Sequence, residues 1–499
     1  MDVAILKNGA LDYCRKAPFH PPERFPEYPF TDIDQGNECY RAVRDLLFRA
    51  RMDPDNFGTP AWNPLGEIIR PGDRVFIKPN FVSHQNKAGG TEAIVTHGSV
   101  LRALLDYASI ALRGRGQVTI GDAPYIDTDF SAVLRATGVD AVAAYYRDHS
   151  PLDISVIDLR QERGPLAHGR IRREALAGDP LGYTAVDLGP GSAHAGLEGS
   201  ADRYRVAFYD RGETRRHHTG GKHEYLIANS VLAADVVLNI PKLKTHGKTG
   251  MTCALKNMVG INGRKGWLPH HLSGPAERGG DEYCFSDPRK DLLAAIKDEL
   301  PALRSPLPVF PLRAVQAALF VSGKVLPFRD GFEAGGWHGN DTLPRTIADL
   351  NAILFYADRQ GILRPAPQRR AFAVVDGIVA GEGDGPMTND AKRCGVLIAG
   401  SSPVAVDIVA ATAMGFDHRK IPTIKYALGA DKYPLFQGEP EHIRIAGDRL
   451  LALDDLFREY NCGLVPARGW AGHIEREPAA APAPRPVPAT RPGRQPAHR

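Results

Sequence analysis

The sequence predicts an α/β protein: a mostly parallel sheet with helices on both faces, plus an inserted small β-rich lobe. Three observations predict it. From residue 71 onward, short apolar runs alternate with helix-length amphipathic stretches, the pattern of a parallel sheet covered on both sides. Runs such as Ala234-Asp-Val-Val-Leu-Asn-Ile240 and Ala371-Phe-Ala-Val-Val375 are apolar almost throughout, as strands buried on both faces are. Residues 160–225 then break the rhythm with glycines, charges and short β-like pieces, including Tyr204-Arg-Val-Ala-Phe-Tyr209, which reads as an insertion.

The elements follow in chain order. Residues 1–70 are rich in proline and aromatics and hold one clear helix, 37–51, so they read as a wrapping segment. Pro71-Gly72 turns the chain into a strand at 74–78. The helix 98–112 follows, with Leu101, Leu104, Leu105, Ala108, Ala111 and Leu112 on one apolar face. A strand at 117–120, a helix over 130–147 and a strand at 154–157 continue the alternation. After the insertion comes the buried strand ending at Ile240, then a Gly/His-rich loop over 263–285. Ser286-Asp287-Pro288 has the capping side chain and early proline of a helix start. Helices are expected near 291–300, 312–324 and 344–356, strands at 371–375 and 395–399, and a helix at 403–414 closed by Gly415. The α/β unit thus spans 71–476. Residues 477–499, an Ala/Pro/Arg tail, lack the apolar content for a core and read as disordered.

Bulk properties narrow the function. The 499 residues are 43% hydrophobic and 24% charged, ordinary for a globular protein. The net charge is +4, and residues 478–499 contain Arg485, Arg491, Arg494 and Arg499 with no acid, so the body is neutral. A neutral body argues against a nucleic-acid partner, which needs a basic face. No apolar run approaches the ~20 residues of a membrane span, and the N-terminus lacks a signal-peptide core. The six cysteines, Cys14, Cys39, Cys253, Cys284, Cys394 and Cys462, form no clustered motif. They point to a reducing, cytoplasmic setting and make an iron–sulfur cluster an unexpected cofactor.

Four constellations carry chemistry. Lys78-Pro79-Asn80 ends a strand, where open α/β sheets bind ligands; Lys78 meets an anion and Asn80 orients it. The central one is Asn239-Ile-Pro-Lys-Leu-Lys-Thr-His246 with Ala254-Leu-Lys-Asn257. Lys242, Lys244, Lys248 and Lys256 concentrate positive charge after one buried strand, as expected where a carboxylate or phosphate is bound. Lys242, Lys256 and Asn257 are read as substrate-binding, Lys244 and His246 as catalytic, with His246 moving a proton. Gly247-Lys248-Thr249 is not a phosphate-binding P-loop, because the required upstream glycine is Lys242. The third, Val375-Asp-Gly377 with Gly381-Glu-Gly-Asp-Gly-Pro386, offers Asp376, Glu382 and Asp384, hard oxygen donors suited to a divalent, magnesium-like metal. The fourth is Gly121-Asp122 at another strand end. Asp349 and Asp407 lie inside expected helices and need partners if buried, and a structural ion pair and a catalytic role stay equally open for them. His217-His218, His223 and His270-His271 lack zinc-site spacing and read as solvent-facing loop histidines.

Ile77-Lys-Pro-Asn80, Ile120-Gly-Asp122, the two central motifs with Gly260, Val375-Asp-Gly377, Gly383-Asp-Gly-Pro386 and Pro403-Val-Ala-Val-Asp407 occur in an order that resembles the family named domain of unknown function 362. Many relatives carry an appended ferredoxin-like cysteine module, and this chain has none. The leading expectation is an enzyme acting on a small anionic metabolite in a Lys/His/Asp pocket, with metal assistance from the three acids. Two other readings stay open: a redox or cofactor-handling protein, as the modular relatives imply, and a non-catalytic binding module of a biosynthetic pathway.

Overall fold

Eleven strands form one sheet, and its order explains why the central motif is buried. A computed structural model of the chain describes residues 2–477, apart from 165, 168–169, 172, 198, 207–208 and 301–308. The strands of the main sheet are β1 (Asp2–Lys7), β2 (Arg74–Pro79), β3 (Gln117–Asp122), β4 (Asp153–Asp158), β5 (Val236–Ile240), β6 (Lys242–His246), β7 (Gly250–Thr252), β8 (Arg370–Glu382), β9 (Asp390–Gly400), β10 (Arg444–Ala446) and β11 (Leu450–Leu451). Their spatial order is β11-β10-β1-β9-β8-β5-β2-β3-β4, with β6 paired to β8 and β7. β5, β2, β3 and β4 run parallel, and β8 joins them in parallel through β5. β9 returns antiparallel to β8, and β1 lies antiparallel to β9. The fold is α/β with a mostly parallel sheet.

Alternation within the strands separates two cores. Val75 and Ile77 of β2, with Val118 and Ile120 of β3, pack under the helices Glu38–Arg49 and Gly98–Leu112. Phe76, Val237, Ala373, Val375 and Ile398 face the other way, under the helices Thr342–Tyr356 and Pro403–Met414. Each face is therefore dry, which explains the near-continuous apolar runs.

The insertion contains three short antiparallel pairs, the longest joining Tyr183–Asp187 to Glu224–Ala228. Within the expected β-like piece at 204–209, Tyr204–Arg205 is strand, paired with His271–Leu272, and 207–208 lie outside the described residues. Two further differences stand out. The expected helix over 130–147 is two, Phe130–Thr137 and Val139–His149, because Gly138 takes a left-handed φ of 72° between them. A Cβ there would lie 2.6 Å from the Phe19 ring, so only glycine fits. β1 is a strand of the sheet, seated between β9 and β10, although its segment reads as a wrap. The helix Val309–Val325 lies largely at the surface, with Phe310, Val321 and Val325 exposed. No helix among the described residues is long and apolar enough to cross a membrane. The tail 478–499, expected to be disordered, lies outside the described residues.

Asp349 and Asp407, the two acids singled out inside helices, form no ion pair among the described residues. Asp407 accepts from the backbone N–H groups of Ala254 (2.7 Å) and Leu255 (3.2 Å), so it anchors the turn that carries Lys256. Asp349 accepts from Ser192 Oγ, Ala193 N and Tyr225 OH. An ion pair at either position is thereby corrected: hydroxyl and amide donors do the work. Burial raises their carboxyls to about 7 and about 6 respectively. Asp407→Ala strands two buried N–H groups, and urea unfolding should show a loss of about 2–3 kcal/mol; a change within ~0.5 kcal/mol would refute the anchoring role.

Candidate functional site

Past Ile240 the strand does not end. Pro241 interrupts it for one residue, and β6 continues along β8, with Lys242 beside Asp376 and Lys244 beside Gly381. The period of two then puts Lys242, Lys244 and His246 on one face, opposite Leu243, which enters a core. All five residues of β6 are buried, so the basic run is not an exposed loop.

The lysines divide into two classes. Lys78 and Lys242 are wholly buried and paired. Lys78 Nζ lies 2.7 Å from Asp122 Oδ1, and Asp122 also accepts from Phe81 N at 2.6 Å. Gly260 abuts that pair: a Cβ there would meet Asp122 Oδ1 at 1.9 Å. Lys242 Nζ lies 3.1 Å from Asp376 Oδ2 and donates to Tyr13 OH at 2.6 Å. Tyr13 OH donates to Asp376 Oδ1 at 2.6 Å, and His97 N donates to Oδ2 at 3.0 Å. Desolvation lowers both ammonium groups, and each aspartate partner opposes it. Lys78 and Lys242, expected to bind substrate, therefore tie the sheet's carboxyl edge together through these aspartates.

The second class lines a cavity of about 360 Å³ at the carboxyl ends of β2, β3 and β6. Lys244, Lys248, Lys256 and Lys265 line it, with His246 and His270. Among the described residues the one acid in its wall is Asp122, already paired with Lys78. Lys244 Nζ donates to the carbonyls of Ile94 (2.7 Å) and Pro386 (3.4 Å), Lys265 Nζ to Val259 O (3.3 Å), and Lys248 Nζ to Ala334 O. Lys256, on the turn Ala254–Asn257, has no hydrogen bond or ion pair among the described residues. Burial lowers all four: Lys256 falls to about 7 and Lys244 well below its ordinary range, with neighbouring ammonium groups adding to both, while Lys248 and Lys265 fall to about 8 against the opposing pull of Asp281 and Glu282 on the first and Asp122 on the second.

His246 Nδ1 accepts from Lys248 N at 3.1 Å. Burial, then Lys256 and Lys244, hold its imidazole neutral. With Nδ1 accepting, the ring proton belongs on Nε2, so His246 is a hydrogen-bond donor. Asn257 Nδ2 donates to Lys78 O (3.0 Å) and Asn239 Oδ1 (2.8 Å), while its Oδ1 accepts from Asn80 Nδ2 at 3.1 Å. Asn80 and Asn257 thus touch each other in the cavity wall. Asn80 Oδ1 and Thr252 Oγ1, also of wall residues, are buried without a partner.

The three acids proposed for a metal do not converge. Asp376 belongs to the Lys242–Tyr13 cluster. Glu382 pairs with Lys392 at 3.0 Å and accepts from Val465 N, and Asp384 binds Arg468. Of their loop, Gly385, Pro386 and Met387 reach the cavity wall, and Glu382 and Asp384 do not line it. Among the described residues no group of three or more His, Cys, Asp or Glu is placed to hold a metal ion. The histidines are also not at the surface: His218, His223 and His271 are buried, and His270 lines the cavity. Sequence reasoning passed over Lys265, which sits in a loop with no motif, and Tyr13, 229 residues from its partner Lys242.

A family model described as "Domain of unknown function (DUF362)" matches residues 75–163 and 166–412. The chain belongs to this family. Every lysine of the cavity lies within the matched span. A thylakoid-associated protein of Synechocystis sp. is 22% identical over 362 residues, covering 72% of this chain and 68% of its own length. A solved structure of a Thermotoga maritima protein is 10% identical with a TM-score of 0.27, a likeness too slight to argue from; it covers 70% of this chain, which spans 54% of that one.

The cation cluster carries a stability cost with a definite sign. Lys256 titrates at about 7 in the fold against an ordinary 10.5, so between those values the unfolded chain binds more protons than the folded one. Stability therefore rises with pH across that window, and the cost is greatest near pH 7 and below. Lys256→Met should raise the ligand-free Tm at pH 7 by roughly a few degrees, and by almost nothing at pH 10.5. Equal shifts at both pH values would rule out charge as the cause.

Proposed function

We propose that this member of the family is an enzyme that binds a small carboxylate or phosphate in the lysine cavity. One observation carries the reading: four lysines line a cavity whose one acid among the described residues, Asp122, is already paired with Lys78. Desolvated positive charge in excess of its counter-charge is costly, and an anionic ligand lowers that cost. Lys244, Lys248 and Lys265 bind the anion together with the His246 Nε2–H. Asn80 and Thr252 offer the unpartnered oxygens for a ligand hydroxyl or amide.

Lys256 is the residue for proton transfer. It has no partner to hold it, and at neutral pH it divides between ammonium and amine. The proton-moving role expected for His246 is thus better filled by Lys256, since the lysines keep the imidazole from charging. The six free cysteines fit a reducing compartment such as the cytoplasm.

Calorimetry with inorganic phosphate and acetate tests the anion site. Lys244→Ala or Lys256→Ala should weaken binding at least tenfold with the fold intact; unchanged affinity in both variants would sink the proposal. Because an anion raises the pKa of the lysines it meets, binding should take up protons. Affinity should be highest below pH 7 and fall as pH rises through about 7 to 8. Heats at pH 7.5 that do not depend on the buffer's ionisation enthalpy would contradict this.

A further inference from the structure

The cavity is larger and drier than a simple anion needs. About 360 Å³ is room for about a dozen waters at ~30 Å³ each, and acetate or phosphate fills a fraction of that. Most of the remaining wall is apolar, with Val82, Tyr125, Ile126, Val206, Tyr209 and Met387 foremost. Ile126, Val206 and Tyr209, with Tyr125 against them, form a small hydrophobic cluster separate from both cores of the sheet. A cluster that stabilises neither core and borders a cavity has its free apolar surface turned to whatever fills that cavity.

Two chain segments build this wall. Tyr125 and Ile126 follow β3, and Ala123 N is held by Gly260 O at 2.9 Å, which ties that segment to the lysine turn. Val206 and Tyr209 come from the insertion, so the lobe supplies the part of the wall that the sheet's carboxyl edge lacks. Burial keeps both phenols neutral, Tyr125 at about 12 and Tyr209 higher. They present ring faces, not charge.

We infer that the ligand is an anion with an apolar body, an aromatic or branched-chain carboxylate or phosphate ester whose charged group meets the lysines and whose body lies against Tyr125, Ile126, Val206 and Tyr209. This rests on the anion reading above and adds the substrate class. Displacing water from the apolar wall favours such a body over a bare anion.

Matched probes test it on the full chain by calorimetry at pH 7: phenylacetate against acetate, phenyl phosphate against inorganic phosphate, and 2-phenylethanol as the uncharged control. Each aromatic anion should bind at least tenfold more tightly than its bare partner. Tyr209→Ala and Val206→Ser should shrink that ratio toward one while leaving acetate and phosphate affinity unchanged. Tyr209→Phe, which keeps the ring, should preserve the ratio. Equal affinity for aromatic and bare anions overturns this inference and leaves the anion site standing. If 2-phenylethanol binds as tightly as phenylacetate, or if no anion binds, the anion reading fails and this one with it.

Discussion

Desolvation of lysine is the constraint around which this molecule is organised. The strand that begins at Val236 carries Lys242, Lys244 and His246 into the interior, and β2 carries Lys78 beside it. A buried ammonium is costly unless it is paired and hydrogen-bonded. At Lys78 and Lys242 the fold meets that cost with Asp122 and Asp376, each supported by a backbone N–H. At Lys244, Lys248, Lys256 and Lys265 it meets it only with carbonyl oxygens or with nothing. The contrast between the two sets separates scaffold from site more sharply than residue type does.

The supports of the unpaired lysines come from distant segments. Asp407 fixes the turn bearing Lys256 from a helix 151 residues further on, a span set by the helix Pro403–Met414 crossing that turn. Thr245 Oγ1 donates to Gly383 O at 2.7 Å, and Trp470 Nε1 donates to Gly247 O at 2.6 Å, so β6 and the following turn are clamped from both sides. A rigid wall lets a cavity keep charges close together without collapsing onto them, which is what a pre-organised anion site needs.

The acidic loop after β8 illustrates how a motif's position can be legible in the sequence while its side-chain contacts are not. Its position at the carboxyl edge follows from the strand before it, and its Gly385, Pro386 and Met387 do border the cavity. Its carboxylates turn away, to Lys392 and Arg468, because the loop is held from within by Asn389 and Thr245. Side-chain direction in a glycine-rich loop depends on those contacts, and no spacing of acids in the sequence encodes them.

Much of the fold was legible because its signals are local. Buried parallel strands read as apolar runs, the helix Pro403–Met414 has its cap and its closing glycine within a few residues, and the central motif announces its charge in one short segment. Less was legible where a signal is shared: β1 is too short to distinguish from a wrap, and Gly138 does not disturb the apolar period it interrupts. In the candidate site, composition by itself determined that positive charge gathers after the Val236–Ile240 strand. Only the tertiary structure decided which of those charges are neutralised. Pairing depends on Asp122, Asp376 and Tyr13 arriving through the sheet order, and sheet order is a long-range property that no window of sequence contains.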